Sequence, residues 1–467
     1  MKNRIITNIF LITLISGSVS CKKLLDTKPK DEISVDVGST DYAVIKSQIV
    51  SVYNYLQNSE YYGRGFIVQA EVLADNARIT DNNSNRYVNE ANNTPRSHVG
   101  VFAGNYQNIL KANLVLANID KSEAPATEVS KAKGEAYFLR ALLYFDLIRG
   151  YARNPNHLLN GFDLGVPLIT TPNLNAGSPD LPERAKVGAV YDQIIADLNN
   201  AITNLDNAAG RYKATKTGAY ALLSRVQLYK GDWAAAETAA TNAINAGTAS
   251  LATPAQYTST WGTPSFPENI FAVKFTAADN LGTNSIQYIF YRHPTLNGYG
   301  DVTASSELRS DFYTGDVRNS SSLLLQTTKS GQTVYYTLKY PGNNGGSALD
   351  DVPVLRLSEI YLNRAEARAR KAAPDVAGAL ADLNAIHTRA GLTALAGLSG
   401  QALIDAILRE RRLELAFEGH RIFDLLRNGL DVVKTPATIS YSDYRLVAPI
   451  PQGELDVNKN LVQNPGY

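Results

Sequence analysis

The sequence predicts a mainly α-helical fold, a stack of antiparallel helix hairpins that carries a loop-rich face with a little β-structure. Three observations predict it. Apolar residues recur at three- and four-residue steps through most of the chain, alanines line the facing positions of one clear helix pair, and between residues 250 and 350 the helical period gives way to Gly, Asn, Ser and Tyr.

The first segment lies apart from that body. "MKNRIITNIFLITLISGSVSC" sets Lys2 and Arg4 ahead of an apolar run from Ile5 to Ile15, then Gly17, Ser18 and Ser20 before Cys21. This is the pattern of a secretory signal, and the run is too short for a lasting transmembrane helix. Cys21 is the sole cysteine and falls where cleavage would leave it as the first residue. Residues 1–20 are therefore expected to be a lipoprotein signal peptide and Cys21 the lipidated residue. Ser18 departs from the leucine most common three residues before such a cysteine. Several acyl chains, at about 0.8 kcal/mol per buried methylene, anchor a protein firmly. The polar stretch to residue 40, "KKLLDTKPKDEISVDVGST", has no sustained helical period and completes a tether over residues 21–40.

Helices dominate from there. "AEVLADNARI" reads as helix and the Asn-rich "TDNNSNRYVNEANNTPRS" as loop. "FAGNYQNILKANLVLANID" is helical again, as is "SKAKGEAYFLRALLYFDLIRGYA", in which Ala136, Leu139, Arg140, Leu143, Tyr144 and Leu147 make one stripe. Pro167, Pro172, Pro179 and Pro182 mark an irregular connection before the helix of "VYDQIIADLNNAITNL". In "KTGAYALLSRVQLYKGDWAAAETAATNAINAG", Trp233, Ala236, Ala240 and Ala243 match the aromatic and small positions in the second half of a tetratricopeptide repeat. The "YKGDW" turn fits that repeat, although Thr248 stands where it prefers Pro. A related pattern runs through "LSEIYLNRAEARARKAAPDVAGALADLNAIHTRAG", with Ala379, Leu383 and Ile386 on its second helix. The expected architecture is a tetratricopeptide-like α-α superhelix, a right-handed stack of hairpins. It divides into an N-terminal part, 41–255, and a C-terminal part, 256–467, packed as one body. Short strands are expected within "SFPENIFAVKFTAADN" and "GQTVYYTLKYPG".

Composition narrows the function. Forty-five basic against forty-four acidic residues, without a block of either sign, argue against nucleic acid as a partner. The chain has no Walker loop, dinucleotide fingerprint, G-x-S-x-G or H-E-x-x-H. Its five histidines, at 98, 157, 293, 387 and 420, lack ligand spacing, so no metal or cofactor is expected. The 26 tyrosines against 13 phenylalanines and 2 tryptophans are a surplus of amphipathic rings, some of which can face a ligand.

One constellation could pass for an active site. In "ALIDAILRERRLELAFEGHRIFDLLR" the stripe of Ile404, Ile407 and Leu408 continues as Arg411, Glu414, Glu418 and Arg421. Two carboxylates about a turn apart suggest a glycosidase pair. Arginines a turn away favour their ionised form, and the preferred reading is an ion-pair ladder that docks one continuous charged helix onto the body. Phe423, Leu426, Asp424 and Arg427 extend that face.

The chain also resembles the SusD/RagB family, lipoprotein partners of TonB-dependent transporters in Bacteroidetes. The resemblance rests on "SCKKLLDTKPKDE", "LRLSEIYLNRAEARA", "ALADLNAIHTRAGL", "ILRERRLELAFEGHRIFDLLR" and the closing "LVAPIPQGELDVNKNLVQNPGY". It implies an outer-membrane, surface-exposed lipoprotein that binds a nutrient, usually an oligosaccharide, and acts as lid of a SusC-like barrel without being an enzyme. Alternatives are a peptide-binding protein of the same kind of system, a surface glycoside hydrolase using Glu414 and Glu418, and a purely structural scaffold. Ligand contacts are sought first at Asp75, Arg78, Arg86 and Tyr87, and at Tyr288, Tyr291, Tyr299 and Asp301, because aromatic rings and planar polar groups are what sugars require.

Overall fold

A computed structural model describes residues 40–174, 179–292, 298–342 and 348–467. The expected signal peptide, Cys21, nearly all of the tether and His293 lie outside them.

Eleven longer helices build the body: α1 (Tyr42–Leu56), α2 (Gly65–Val72), α3 (Phe102–Asn118), α4 (Ala126–Tyr151), α5 (Val187–Asn204), α6 (Lys216–Lys230), α7 (Trp233–Asn245), α8 (Leu357–Arg370), α9 (Val376–Arg389), α10 (Gly400–Leu415) and α11 (Arg421–Arg427). Successive helices pack on one another from α3 to α7, and α8 packs against α6, α7, α9 and α10. Local chemistry sets their ends. Asp41, Thr215, Asp232 and Asp375 cap α1, α6, α7 and α9 through side-chain oxygens on first-turn amides. Gly231 takes φ 83° in the "YKGDW" turn, the left-handed geometry that closes α6 and reverses the chain into α7. On α7, Ala236, Ala239, Ala240 and Ala243 are buried, so the small-residue face of the repeat is the contact face. Close approach is also built into α1 and α3, where a side chain at Gly104 would lie 2.3 Å from the Tyr55 hydroxyl.

Helix α4 differs from the single stripe expected of it. From Glu135 to Tyr151 nearly every residue is buried, as befits a helix surrounded by others. Three of its buried charges are matched directly. Arg140 makes a two-pronged pair with Asp197 of α5 at 2.8 and 2.6 Å, and Asp146 binds Arg149 and accepts from the hydroxyls of Tyr61 and Tyr62.

Eight of the ten short strands among the described residues frame the body: β1 (Ala77–Ile79), β2 (Leu164–Pro167), β3 (Arg184–Lys186), β4 (Asn269–Val273), β5 (Val302–Ala304), β6 (Leu324–Lys329), β7 (Gln332–Thr337) and β8 (Val352–Arg356). They pair antiparallel as β1–β5, β2–β3, β4–β8 and β6–β7. The β4 and β7 strands fall in the two segments expected to hold them. The helix expected over "AEVLADNARI" stops at Val72, and Ala77–Ile79 is strand, because it finds an edge in β5, more than two hundred residues away. The β6–β7 hairpin turns through Ser330 and Gly331, both at positive φ. Across the stack, Arg225 of α6 holds Glu359 of α8 through two bonds of 2.6 and 2.5 Å, and β4–β8 places Phe271 opposite Leu355. Among the described residues no helix is long and apolar enough to cross a membrane.

Candidate functional site

The irregular face is held by a layered set of internal bonds. β1 pairs with β5, and Thr303 of β5 bonds Tyr335 of β7 through its side chain, donating to the carbonyl at 3.1 Å and accepting from the amide at 2.7 Å. Lys329 at the end of β6 reaches Tyr299 O, Gly300 O and Thr80 Oγ1 at 2.8 to 3.0 Å. Asp301 accepts from the amide and hydroxyl of Ser84. The loop from Thr80 to Tyr87 is thereby pinned at Thr80 and at Ser84. Its asparagines form it: Asn83 donates to Thr80 O and accepts from the Asn85 amide, while Asn82 and Asn85 take positive φ. Tyr87 also sits at φ 60°, rare for a bulky residue and a mark of a backbone fixed by its surroundings.

This scaffold brings three of the expected ligand residues together. The Arg86 guanidinium lies 4.6 Å from the centre of the Tyr299 ring, and Tyr288 meets Tyr299 edge to face at 6.2 Å. Arg86 also donates to Thr283 O at 3.5 Å. All three side chains are partly exposed. Arg78, exposed, stands instead at a polar cleft of about 360 Å³ with Asn92, Ser306, Glu307 and Thr435 on its walls.

The other four expected contacts are internal. Asp75 lines the base of that cleft but is only 3% exposed; Arg421 grips it at 2.6 and 2.8 Å and Arg412 lies at 3.4 Å. Burial opposes its ionisation, yet these two arginines hold the carboxyl below its usual range. Asp301 is buried on Ser84 and Lys329. Tyr291 packs with Val334 and Tyr336 beneath the hairpin. Tyr87 belongs to the main core; burial pushes its phenol up to about 12, and its hydroxyl has no hydrogen-bond partner among the described residues. These four shape the face from below.

Sequence reasoning passed over several residues of the same region. Arg309 lies 3.4 Å from the Tyr335 ring centre, a second partly exposed guanidinium–tyrosine stack. Strand alternation gives a signal for Tyr335, since Val334 and Tyr336 are buried on the opposite face of β7. Nothing in the local sequence marks Arg309. Lys434 donates to Val72 O, Ala91 O and Asn93 Oδ1 at 2.6 to 2.8 Å, and burial draws its pKa down to about 7. Trp233 packs against Leu228, Ala236 and Ala367, and Trp261 is buried with Tyr257 and Phe266, so both indoles are scaffold.

The charged segment after α10 corrects the expected ladder. Helix α10 ends at Leu415, the chain bends through Phe417 and Gly419 at positive φ, and α11 begins at Arg421. Arg411, Glu414, Glu418 and Arg421, the charges of the expected ladder, do not pair with one another. Glu414 binds Arg356 at 2.6 Å, Arg318 at 3.2 Å and Arg389, while Glu418 binds Lys339 at 2.5 Å and Arg356 at 2.6 Å. Arg411 pairs with Asp424 and Glu359, and Arg427 with Glu366 and Asp424. Glu414 is fully buried; burial works against its ionisation, but Arg389, Arg356 and Arg318 outweigh it and hold the carboxyl well below its usual range. A carboxylate so held carries no proton to give a glycosidic oxygen, and neither glutamate has a path to a substrate. Among the described residues, no group of three His, Cys, Asp or Glu side chains could hold a metal ion.

Known proteins share this architecture. Residues 23–228 match a family described as "Starch-binding associating with outer membrane", and residues 317–440 match the SusD family. The chain is 26% identical to SusD-like protein P2 of Formosa agariphila over 98% of its own length and 99% of that protein. A shorter stretch, 25% of the chain and 22% of the relative, is 34% identical to the starch-binding protein SusD of Bacteroides thetaiotaomicron. Among solved structures, a SusD superfamily protein of B. thetaiotaomicron superposes with TM-score 0.81 at 27% identity, over 90% of this chain and 99% of that one. A putative sugar binding protein of Bacteroides vulgatus gives 0.80 at 28%, over 93% and 100%.

Proposed function

The chain belongs to the SusD/RagB family of glycan-binding proteins, and on that premise we propose that it is a surface-exposed outer-membrane lipoprotein that binds an oligosaccharide and passes it to a SusC-like transporter, closing over it as a lid. The observation that carries the reading is the Arg86–Tyr299–Tyr288 cluster on a pinned loop face. Tyrosine rings can lie under the C–H faces of a sugar while guanidinium groups bind its hydroxyls, and a fixed scaffold keeps the ordering cost of binding low. The Arg78 cleft, with amide, hydroxyl and carboxylate groups at its wall, offers further hydrogen bonds beside it. The protein acts by binding and release, without bond cleavage. Anchorage at Cys21 supplies the location, since a lipid-modified first residue holds a body that has no spanning helix among its described residues.

Isothermal calorimetry of the detergent-solubilised full chain against neutral oligosaccharides tests this. Arg86→Ala and Tyr299→Ala should each weaken a glycan that the wild type binds by several-fold, the size of one lost stack of about 1 kcal/mol. Their thermal midpoints should be unchanged. Unaltered affinity in both variants, or affinity only for peptides, would refute the assignment. Co-purification with a barrel of the same outer membrane tests the transporter role.

A further inference from the structure

A second recess is lined by the start of the 274–284 segment. Its volume is about 210 Å³, and its walls include Tyr53, Tyr212, Lys213, Lys274 and Asp279. The segment joins the two places: Asp279 and Thr276 line the recess, and the carbonyl of Thr283 accepts from Arg86. The Lys213 ammonium stands 3.8 Å from the Tyr53 ring centre, and that of Lys274 stands 5.2 Å from the Tyr212 ring centre. Lys213 is half-buried and Lys274 exposed, and neither ammonium makes an ion pair within 4.0 Å among the described residues.

The surrounding charges favour an anion. Three carboxyls are near, and burial works against the charge of two of them, Glu135 and Asp351. Asp279 accepts from Thr276 at 2.7 Å, and Asp351 accepts from Tyr212 at 2.6 Å. Burial raises the Glu135 carboxyl, against the pull of Tyr53, Lys213, Lys131 and Lys46. Facing them are Lys213 and Lys274, with Lys46 and Lys131 acting on Lys213 as like charges and Arg211 tied to the carbonyls of Pro264 and Phe266. Two ammonium groups beside tyrosine faces, neither within 4.0 Å of a carboxylate although Glu135 acts on Lys213 and Asp351 on Lys274 from further off, form a place for an anionic group on a ring that can stack.

We infer that this lysine–tyrosine recess is a second binding site, which takes the acidic unit of a saccharide, a carboxylate or a sulfate ester on a sugar ring. The inference rests on the proposed glycan-binding role only in taking the cargo to be a saccharide. It adds a charge preference that the Arg86 face alone does not carry.

The test measures binding of the detergent-solubilised full chain to three tetramers: tetragalacturonate, a sulfated galactotetraose and neutral galactotetraose. At least one anionic tetramer should bind at least about tenfold more tightly than the neutral one. Lys213→Gln and Lys274→Glu should abolish that preference and leave neutral affinity unchanged, and Arg86→Ala should lower affinity for all three while the ratio persists. Lys274 is exposed, so its variant keeps the fold even if Lys213→Gln, which loses a contact with Tyr53, does not. Neutral binding with no preference in the wild type, or a preference that survives Lys274→Glu, would overturn the recess and leave the first site standing. Failure of all three tetramers to bind would overturn it too.

Discussion

Replacing Glu414 with Gln should destabilise the protein without touching its ligand face. The side chain keeps its size, but three guanidinium groups, of Arg318, Arg356 and Arg389, lose the one carboxylate they share, and the new amide turns a donor toward them. Breaking a buried pair of this kind costs about 3–5 kcal/mol. The 467 residues of the chain at about 2.1 cal/mol/K each give an unfolding entropy of about 1 kcal/mol/K, so the thermal midpoint should fall by about 3–5 °C for a chain that unfolds as one unit. The difference depends on pH with a definite sign. Because the folded pKa of Glu414 lies well below the ordinary value of 4.5, its contribution is complete above that pH and is lost as the pH falls toward the folded pKa. The gap between wild type and variant should therefore be constant near neutrality and narrow by about 1.4 kcal/mol per pH unit below about 4.5. Differential scanning calorimetry or chemical denaturation at a series of pH values reads both numbers. A midpoint within 1 °C of the wild type, roughly the shift for 1 kcal/mol, or a gap that widens in acid, would refute the assignment of Glu414 as an ionised keystone. So would turnover of a chromogenic glycoside that the substitution abolishes.

Arg421→Ala should cost about 3 kcal/mol, since it strands Asp75 beside Arg412 alone; a lowered midpoint with unchanged ligand preference is the expected result, and altered preference at full stability would contradict it. Tyr291→Ala should lower the midpoint by a similar amount, because it empties a ring site between Val334 and Tyr336; stability equal to the wild type would show that the ring is not packed. Cys21→Ala should release the protein from the outer-membrane fraction, checked by fractionation and mass spectrometry of the mature N-terminus; retention at wild-type levels would remove the lipid anchor from the account.

Where sequence and structure agree, the property is local. The helices over 102–118, 187–204, 216–245 and 357–389 stand where their three- and four-residue steps put them, because periodicity, caps and turn glycines act within a few residues. The Asn-rich loop was also legible, since asparagine supplies both the positive φ and the side-chain acceptors from which the 80–87 turn is made. Arg86, Tyr288 and Tyr299 were legible as candidates by residue type alone. Their meeting was not, because it depends on Lys329 and Asp301 fastening segments more than two hundred residues apart in sequence.

The sequence by itself determined a helical-repeat body and an irregular tyrosine-bearing region, and it raised the expectation of a signal ending in a lone cysteine. Only the tertiary structure decided which polar side chains would be spent inside. Asp75 finds Arg421 across 346 residues, and Glu414 finds arginines from three different segments. A charge read along the chain has no burial and no partner, and both arise only when distant elements pack. In a low-dielectric interior, pairing then decides whether a carboxylate becomes a structural tie or remains free to meet a ligand.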